Sequence, residues 1–505
     1  MSKSKHIFPV NRVEGDLDIR IEVEDGVVVD AWSIGTMYRG IENLLKGRAV
    51  LDGLVITPRV CGICSSSHLK AAALALDMIF DANVPDNARR VRNATLIVEQ
   101  IQNDIRHPFL LFMPDFANVA YKEYPLYGEA VRRYEPLRGE TAVQTIKESK
   151  RLIEIISILG GQWPHSSFMV PGGVVSVPDP DDIIQCRQLL RSFRVWFEKR
   201  VLGCTLDRFR DVKSESDLFS WLDECGSHRE SDMGFYIRFS KKAGLDRIGT
   251  GHGNFISFGS HELPEESSVK GINGSSYYLP SGFFSGRKTI SFNQDKIAED
   301  VAYSLYEDYG KSRHPFEGLT NPHLAGDKRE KYSWAKAPRY DGMPAETGPL
   351  AEMIISSNPL FKDLAGNNGS SVFVRELARL IRPVQLIPVL DEWLKEILKD
   401  TGGFYESCKK PENGEGFGLV QAPRGALGHW VTVKNSKIER YQIITPTAWN
   451  GSPRDSKNIR GPWEEALVGT RIKDKDNPVE VEHVIRSFDP CLVCTVHVID
   501  VRKKQ

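Results

Sequence analysis

The chain has 505 residues, 41% hydrophobic and 26% charged, with a formal net charge of -1, a size and polarity that bury a deep core and exclude a disordered polymer. No block of like charge or basic stripe points to nucleic acid, and no stretch reaches the roughly 18 apolar residues of a membrane helix. The first ten residues carry Lys3 and Lys5 without the apolar run of a secretory signal, and no twin arginine follows. A cytoplasmic location is therefore expected, with any membrane association peripheral and through partners.

Leu17, Ile19, Ile21 and Val23 alternate with polar residues, and Asp25-Gly26 leads into Val27, Val28 and Val29, which together predict a hairpin. Helical apolar spacing follows over 68–80, 88–112, 144–159, 181–202, 293–309 and 372–398, the last interrupted by Pro383 and Pro388. Between 231 and 286 glycine and aromatics rise and the helical period fades, predicting an irregular or strand-rich lobe rather than a separate domain. A second hairpin is predicted over 429–433 and 438–444, turning at Asn435-Ser436. No linker, repeat or low-complexity tract stands out. The expected fold is α+β and mainly helical, a large helical body with small antiparallel sheets in one domain over 1–505.

Eight cysteines are too few for a disulfide scaffold in so long a chain, and in a reducing compartment paired cysteines more often bind metal. Cys186, Cys204 and Cys408 have no cysteine or histidine at ligand spacing and read as inert. Cys225 has His228 three residues on, but no second pair nearby completes a site. The other four form Cys61-Gly62-Ile63-Cys64 and Cys491-Leu492-Val493-Cys494. Either pair alone is half a zinc site or a redox dithiol. Structural zinc motifs usually close short loops, whereas these pairs sit at opposite ends of the chain, an arrangement that suits a buried metal. Four thiolates select nickel, zinc or an iron-sulfur cluster over magnesium or calcium, and spacing does not choose among the three. A histidine follows each pair, His68 and His497. Ile63, between two ligands, reads as a core residue, with the narrowing of a gas path as its functional alternative.

Arg59-Val60-Cys61-Gly62-Ile63-Cys64 with His68, and Asp489-Pro490-Cys491-Leu492-Val493-Cys494 with His497, resemble the two metal-binding signatures of nickel-iron hydrogenase large subunits. Arg12-Val13-Glu14-Gly15, Arg39-Gly40-Ile41-Glu42, Pro164-His165, Pro171-Gly172-Gly173-Val174, Glu346-Thr347-Gly348-Pro349-Leu350, Ala422-Pro423-Arg424-Gly425 and Pro446-Thr447-Ala448-Trp449-Asn450 fall in the same family's order. The resemblance implies that Cys61 and Cys491 are terminal nickel ligands, while Cys64 and Cys494 bridge nickel to an iron bearing one carbon monoxide and two cyanides. It implies dihydrogen as substrate, cleaved between a Lewis acid and a base. Two bases are available. Arginine is a poor proton acceptor, so Cys491 is favoured, with Arg424 as an electrostatic lid partnered by Asp104 and Asp489. Pro423 lies beside it in the cofactor-binding set.

Glu14 resembles the carboxylate that relays the proton away from the terminal cysteine. Glu42, His497 and the backbone carbonyl near Ile443 resemble a magnesium site. His68 is expected to donate a hydrogen bond to a bridging thiolate, and Thr447 one to a cyanide. Asp16 and Phe112-Met113-Pro114-Asp115-Phe116 resemble the group containing cyanobacterial-type uptake hydrogenases and hydrogen sensors. His68 and a tail over 498–505 favour uptake, with a hydrogen-sensing regulatory subunit as the alternative. The tail resembles the peptide a maturation endopeptidase removes after His497. The four scattered cysteines are too dispersed to hold an electron-transfer cluster, so an iron-sulfur small subunit is the implied partner, in a heterodimer or a higher oligomer, with a quinone pool as acceptor.

Overall fold

The computed structural model describes residues 3–323 and 331–495. β1 (Lys3–Pro9), β2 (Leu17–Glu24) and β3 (Val27–Gly35) form an antiparallel sheet, so the expected hairpin gains a third strand on its edge. Leu17, Ile19, Ile21 and Val23 are all buried, because a period of two sends alternate side chains to one face. Asp25 and Gly26 both take positive φ, which a tight strand connection with the right twist requires. β4 (Met169–Val170) and β5 (Gly173–Val174) pair over two residues.

Four long helices, Asp86–Arg106, Glu140–Gly160, Pro180–Trp196 and Val372–Lys399, pack on one another as the helical body. Each lies under an expected helix. Asp179 caps the third, accepting from the Asp182 N–H while Asp182 reaches back, a reciprocal cap. Beyond Arg106 the α-helix passes into a π turn over His107–Phe112; Pro108 has no N–H to continue the α ladder. Pro383 and Pro388 do not interrupt Val372–Lys399. Most of its length is buried, and that packing outweighs two missing donors.

Two expectations need correction. The 231–286 lobe begins with a helix, Asp232–Ala243, started by the Ser231 hydroxyl accepting from Gly234 N–H and ended at Gly244 with φ +77. Both cap signals stand in the sequence. Only its remainder carries strands: β6 (Phe255–Glu262), β7 (Tyr277–Ser285) and β8 (Lys288–Ile290) form an antiparallel sheet. The 293–309 segment is not a helix. It holds β9 (Ile297–Asp300), paired with β10 (Ala337–Tyr340), because a distant partner supplies a ladder that local periodicity does not announce.

The expected second hairpin is the last two strands of a sheet of β11 (Gly414–Ala422), β12 (Gly425–Lys434) and β13 (Lys437–Ile444). The Ser65–Ile79 helix lies against β11. A Cβ at Gly418 would stand 1.8 Å from the Ala71 carbonyl oxygen, so only glycine lets strand and helix approach this closely.

Candidate metal centre

Cys61, Cys64 and Cys491 share one buried cluster, with Ile63 and Val493 packed against it. The Cys61 and Cys491 sulfurs lie 3.6 Å apart, well beyond the ~2.05 Å of a disulfide. Two thiols from opposite ends of the chain thus face one point. Cys494 follows in the Leu492–Thr495 turn, but its side chain, and all of His497, lie outside the described residues. Among those residues no three of His, Cys, Asp and Glu converge tightly enough to hold an ion by themselves.

The first pair is held by the helix that starts at Ser65. Glu99, on the Asp86–Arg106 helix, accepts from the Ser66 and Ser67 N–H groups at 2.8 and 3.0 Å and from the Ser67 hydroxyl. It satisfies donors that a helix start leaves open. Burial nevertheless pushes the Glu99 carboxyl up to about 7, against the lowering effect of those hydrogen bonds.

The second pair is held by backbone from the N-terminal segment. Glu14 forms a parallel bridge with Cys491, and its carbonyl accepts from Leu492 N–H at 2.6 Å. Gly15 follows at φ +84, where a Cβ would meet Val493 N at 2.9 Å, so glycine is required. The Thr447 hydroxyl oxygen accepts from Cys491 N–H at 3.1 Å. Arg39 ties both pairs together, donating to the carbonyls of Val60 (2.6 Å), Arg59 (2.8 Å) and Val493 (3.1 Å).

Pro423 and Arg424 form the two-residue turn between β11 and β12, where Ala422 pairs with Gly425. Arg424 is buried, and its Nε donates to Asp489 at 3.0 Å. Burial opposes its charge, but Asp489 and the thiolates of Cys491, Cys61 and Cys64 overcome that, holding the guanidinium well above its usual range. Its Nη1 is buried without a hydrogen-bond partner among the described residues. Asp489 sits at φ +57 and also accepts from Asn103 (2.6 Å) and Arg379 (3.1 Å). Burial would raise its carboxyl, but Arg424, His107 and Arg379 hold it far below the usual range.

Asp104 is a correction. It does not pair with Arg424 but accepts bidentately from Arg382 at 2.7 and 2.8 Å, and Arg382 also donates to the Pro423 carbonyl at 2.7 Å. Asp104 therefore acts on the Arg424 turn through Arg382. Burial lifts its carboxyl to about 6 even so.

Glu14 is half-buried, and burial and the Cys61 thiolate raise its carboxyl against the lowering effects of Arg424 and Arg39. His68 Nδ1 lies 3.1 Å from His429 Nε2, and His429 Nδ1 lies 2.9 Å from the Tyr441 hydroxyl. Glu42 is buried and accepts from Thr320, from Gln442 at 2.8 Å and from Ile443 N–H at 3.0 Å. Glu42 and Ile443 do come together; it is the Ile443 amide, rather than its carbonyl, that touches the carboxylate. Elsewhere the Cys225 sulfur lies by the Ser227 hydroxyl, while the His228 ring stacks on Trp221.

The family model described as nickel-dependent hydrogenase matches residues 39–124 and 232–497. The chain belongs to the nickel-dependent hydrogenase family. Its relatives include the periplasmic [NiFeSe] hydrogenase large subunit of Desulfomicrobium baculatum, 31% identical over 98% of this chain and 94% of that one. The hydrogenase-2 large chain of Escherichia coli K12 is 29% identical over 99% and 98%, and the uptake hydrogenase large subunit of Bradyrhizobium diazoefficiens 28% over 98% and 95%. The reduced Ni-Fe-Se hydrogenase of D. vulgaris Hildenborough superposes with a TM-score of 0.81 at 30% identity, covering 98% of this chain and all of that one.

This chain is thus the large, catalytic subunit of a nickel-iron hydrogenase, and a large subunit implies a small one. No helix among the described residues is long and apolar enough to cross a membrane. Sequence reasoning about the hydrogenase site missed Glu99, Arg379 and Arg382. Arg39 stood in a quoted motif without a role. No local signal marks these residues, because each reaches the site from a helix or loop remote in sequence.

Proposed function

We propose that this subunit belongs to an uptake hydrogenase, oxidising dihydrogen heterolytically and passing electrons to an iron-sulfur small subunit. The observation that carries the reading is the burial of Cys61, Cys64 and Cys491 in one cluster under the charged Arg424 turn. In this reading Cys61 and Cys491 would hold the nickel, and Cys64 and Cys494 would be shared with an iron that would carry one carbon monoxide and two cyanides. The residues fit such a group. Thiolates suit soft metals, and the buried Arg424 Nη1 lacks a hydrogen-bond partner among the described residues. The Thr447 hydroxyl, whose oxygen accepts from Cys491 N–H, keeps its own proton to donate to a cyanide. When bound, the centre supplies a Lewis-acidic open position beside the thiolates.

Arg424, held charged by Asp489 and the thiolates, is the electrostatic lid, and Cys491 is the first proton acceptor. Glu14 takes the proton onward: its raised carboxyl is tuned towards the working range of a relay. Donation from Tyr441 to His429 and from His429 to His68 would leave His68 Nε2 as the donor to a bridging thiolate. Glu42 is a buried carboxylate with no ion-pair partner among the described residues, which suits a magnesium ion shared with Ile443 and His497. An endopeptidase removes 498–505 after His497. The subunit works as one domain in a cytoplasmic heterodimer feeding a quinone pool, membrane-associated only through partners.

Elemental analysis with infrared spectroscopy of the native complex is expected to give nickel, iron and carbonyl and cyanide stretches, alongside dye-linked dihydrogen oxidation. Zinc alone in a matured preparation would overturn the reading. An intact centre with negligible turnover would move it to a hydrogen sensor. Glu14→Gln is expected to collapse exchange of dihydrogen with heavy water, and undiminished exchange would remove Glu14 from the path.

A further inference from the structure

Away from the cysteine cluster, a cavity of about 490 Å³ opens between the Ser65–Ile79 helix, β6 and β11. Its walls are mixed: Leu74, Phe258, Tyr277, Phe292 and Phe417 supply apolar and aromatic surface beside the polar Lys70, Glu262 and Gln294, and the exposed Asn293 stands at its edge. Two fully buried side chains that line it are incomplete. His261 Nδ1 and Gln421 Nε2 have no hydrogen-bond partner among the described residues.

The direction of each vacancy follows from the bonds already made. Gln100 Nε2 donates to the Gln421 carbonyl, so Gln100 Oε1 is the acceptor facing His261 Nε2 at 2.8 Å. Nε2 of His261 therefore carries the proton, and Nδ1 is a bare acceptor. Burial, with Lys70 and Arg382 nearby, keeps the ring neutral by driving its pKa well below the usual range. Gln421 Oε1 accepts from Phe258 N–H, which fixes Nε2 of the same amide as a donor. The cavity thus offers one buried donor and one buried acceptor, and leaving both unmet costs free energy.

Backbone strain supports the same site. His261 sits at φ +61 two residues after Gly259 at φ +89, where a Cβ would meet the Tyr277 ring at 2.9 Å. The β6–β7 register pairs Ser260 with Leu279 and Glu262 with Tyr277, with His261 in the left-handed region between them. A left-handed histidine in a strand is costly and persists where its surroundings over-determine it. Lys70 and Glu262 also line the cavity, and Lys70 donates to Asn93; burial lowers Lys70 to about 7 against the raising effect of Glu262.

We propose that this cavity binds a small neutral molecule with a flat apolar body and one group that both donates and accepts, such as a primary carboxamide or a phenolic hydroxyl. Its acceptor would take the Gln421 N–H, its donor would meet His261 Nδ1, and the ring would lie among the aromatic walls. A carboxylate satisfies Gln421 but cannot donate to His261, so selectivity against anions follows from the tautomer.

The test titrates benzamide, phenol and benzoate against the purified native complex, by ligand-observed NMR and by crystals soaked with benzamide. Benzamide and phenol are expected to bind saturably, and benzoate at least about tenfold more weakly. Leu74→Trp, which fills the cavity from the helix side, should abolish binding with an unchanged melting temperature. Should that variant fold poorly, His261→Gly, a residue that adopts φ +61 freely, withdraws the Nδ1 acceptor; it should weaken benzamide about tenfold and leave benzoate unaffected. Binding that survives both substitutions, equal affinity for benzoate, or soaked crystals holding only a water between His261 and Gln421 would each overturn the proposal.

Discussion

The two cysteine pairs have the same spacing but are built in opposite ways. Cys61 and Cys64 run directly into a 15-residue helix whose start is satisfied by Glu99, so nearby secondary structure sets their geometry. Cys491 leads into a four-residue turn that contains Cys494, and the position of this segment comes from the Glu14 bridge, the Thr447 hydroxyl and the Arg39 clamp, all distant in sequence. The first pair is a local structure that awaits a partner. The second exists only once the chain ends have met. A carboxylate that supports each pair is also shifted, in opposite directions, Glu99 upwards by burial and Asp489 downwards by arginines.

The largest expected effect is on the thiols themselves. Cys61→Ser and Cys491→Ser should each remove nickel and turnover, read by elemental analysis and dihydrogen oxidation. A variant that keeps both would break the equivalence of the two pairs as ligands. Next is Arg39→Ala, which strips three carbonyl contacts shared by both pairs and should cost about 3 kcal/mol, measured by denaturant unfolding of the complex. A cost near zero would mean the C-terminal pair is held without the clamp. Glu99→Ala acts on the first pair alone and should cost about 2 kcal/mol through the lost helix start.

The smallest effects concern pH and carry opposite signs. The folded Glu99 carboxyl is raised from 4.5 to about 7, so the folded chain holds a proton that the unfolded chain has released. That stabilisation is complete below about 4.5 and lost as pH rises through about 7. Relative to Glu99→Gln, the wild-type melting temperature should fall across this window. Asp489 is depressed below 3.8, so its contribution is present above that value and lost as pH falls through the folded pKa. The deficit of Asp489→Asn should therefore shrink towards acid. If both variants tracked the wild type at every pH, the electrostatic half of the comparison would be wrong.

Much of the molecule was legible in the sequence, because its signals are local. Leu17, Ile19, Ile21 and Val23 alternate with polar residues ahead of Asp25-Gly26 and three valines, which dictates a hairpin, since a strand turns side chains through half a circle per residue. The helices of the body announce themselves by apolar spacing, and Cys-x-x-Cys followed by histidine marks each half of the site. Long-range contact decided the rest. The 293–309 segment has helical spacing, yet Ala337–Tyr340 offers Ile297–Asp300 a ladder and it becomes a strand. Asp104 looked like a partner for Arg424, but the Val372–Lys399 helix brings Arg382 to it first. Sequence alone named the candidates for holding a metal and relaying a proton. Only the tertiary structure decided which charges meet and which buried polar atoms stay unmet, because those depend on groups hundreds of residues apart packing where water cannot screen them.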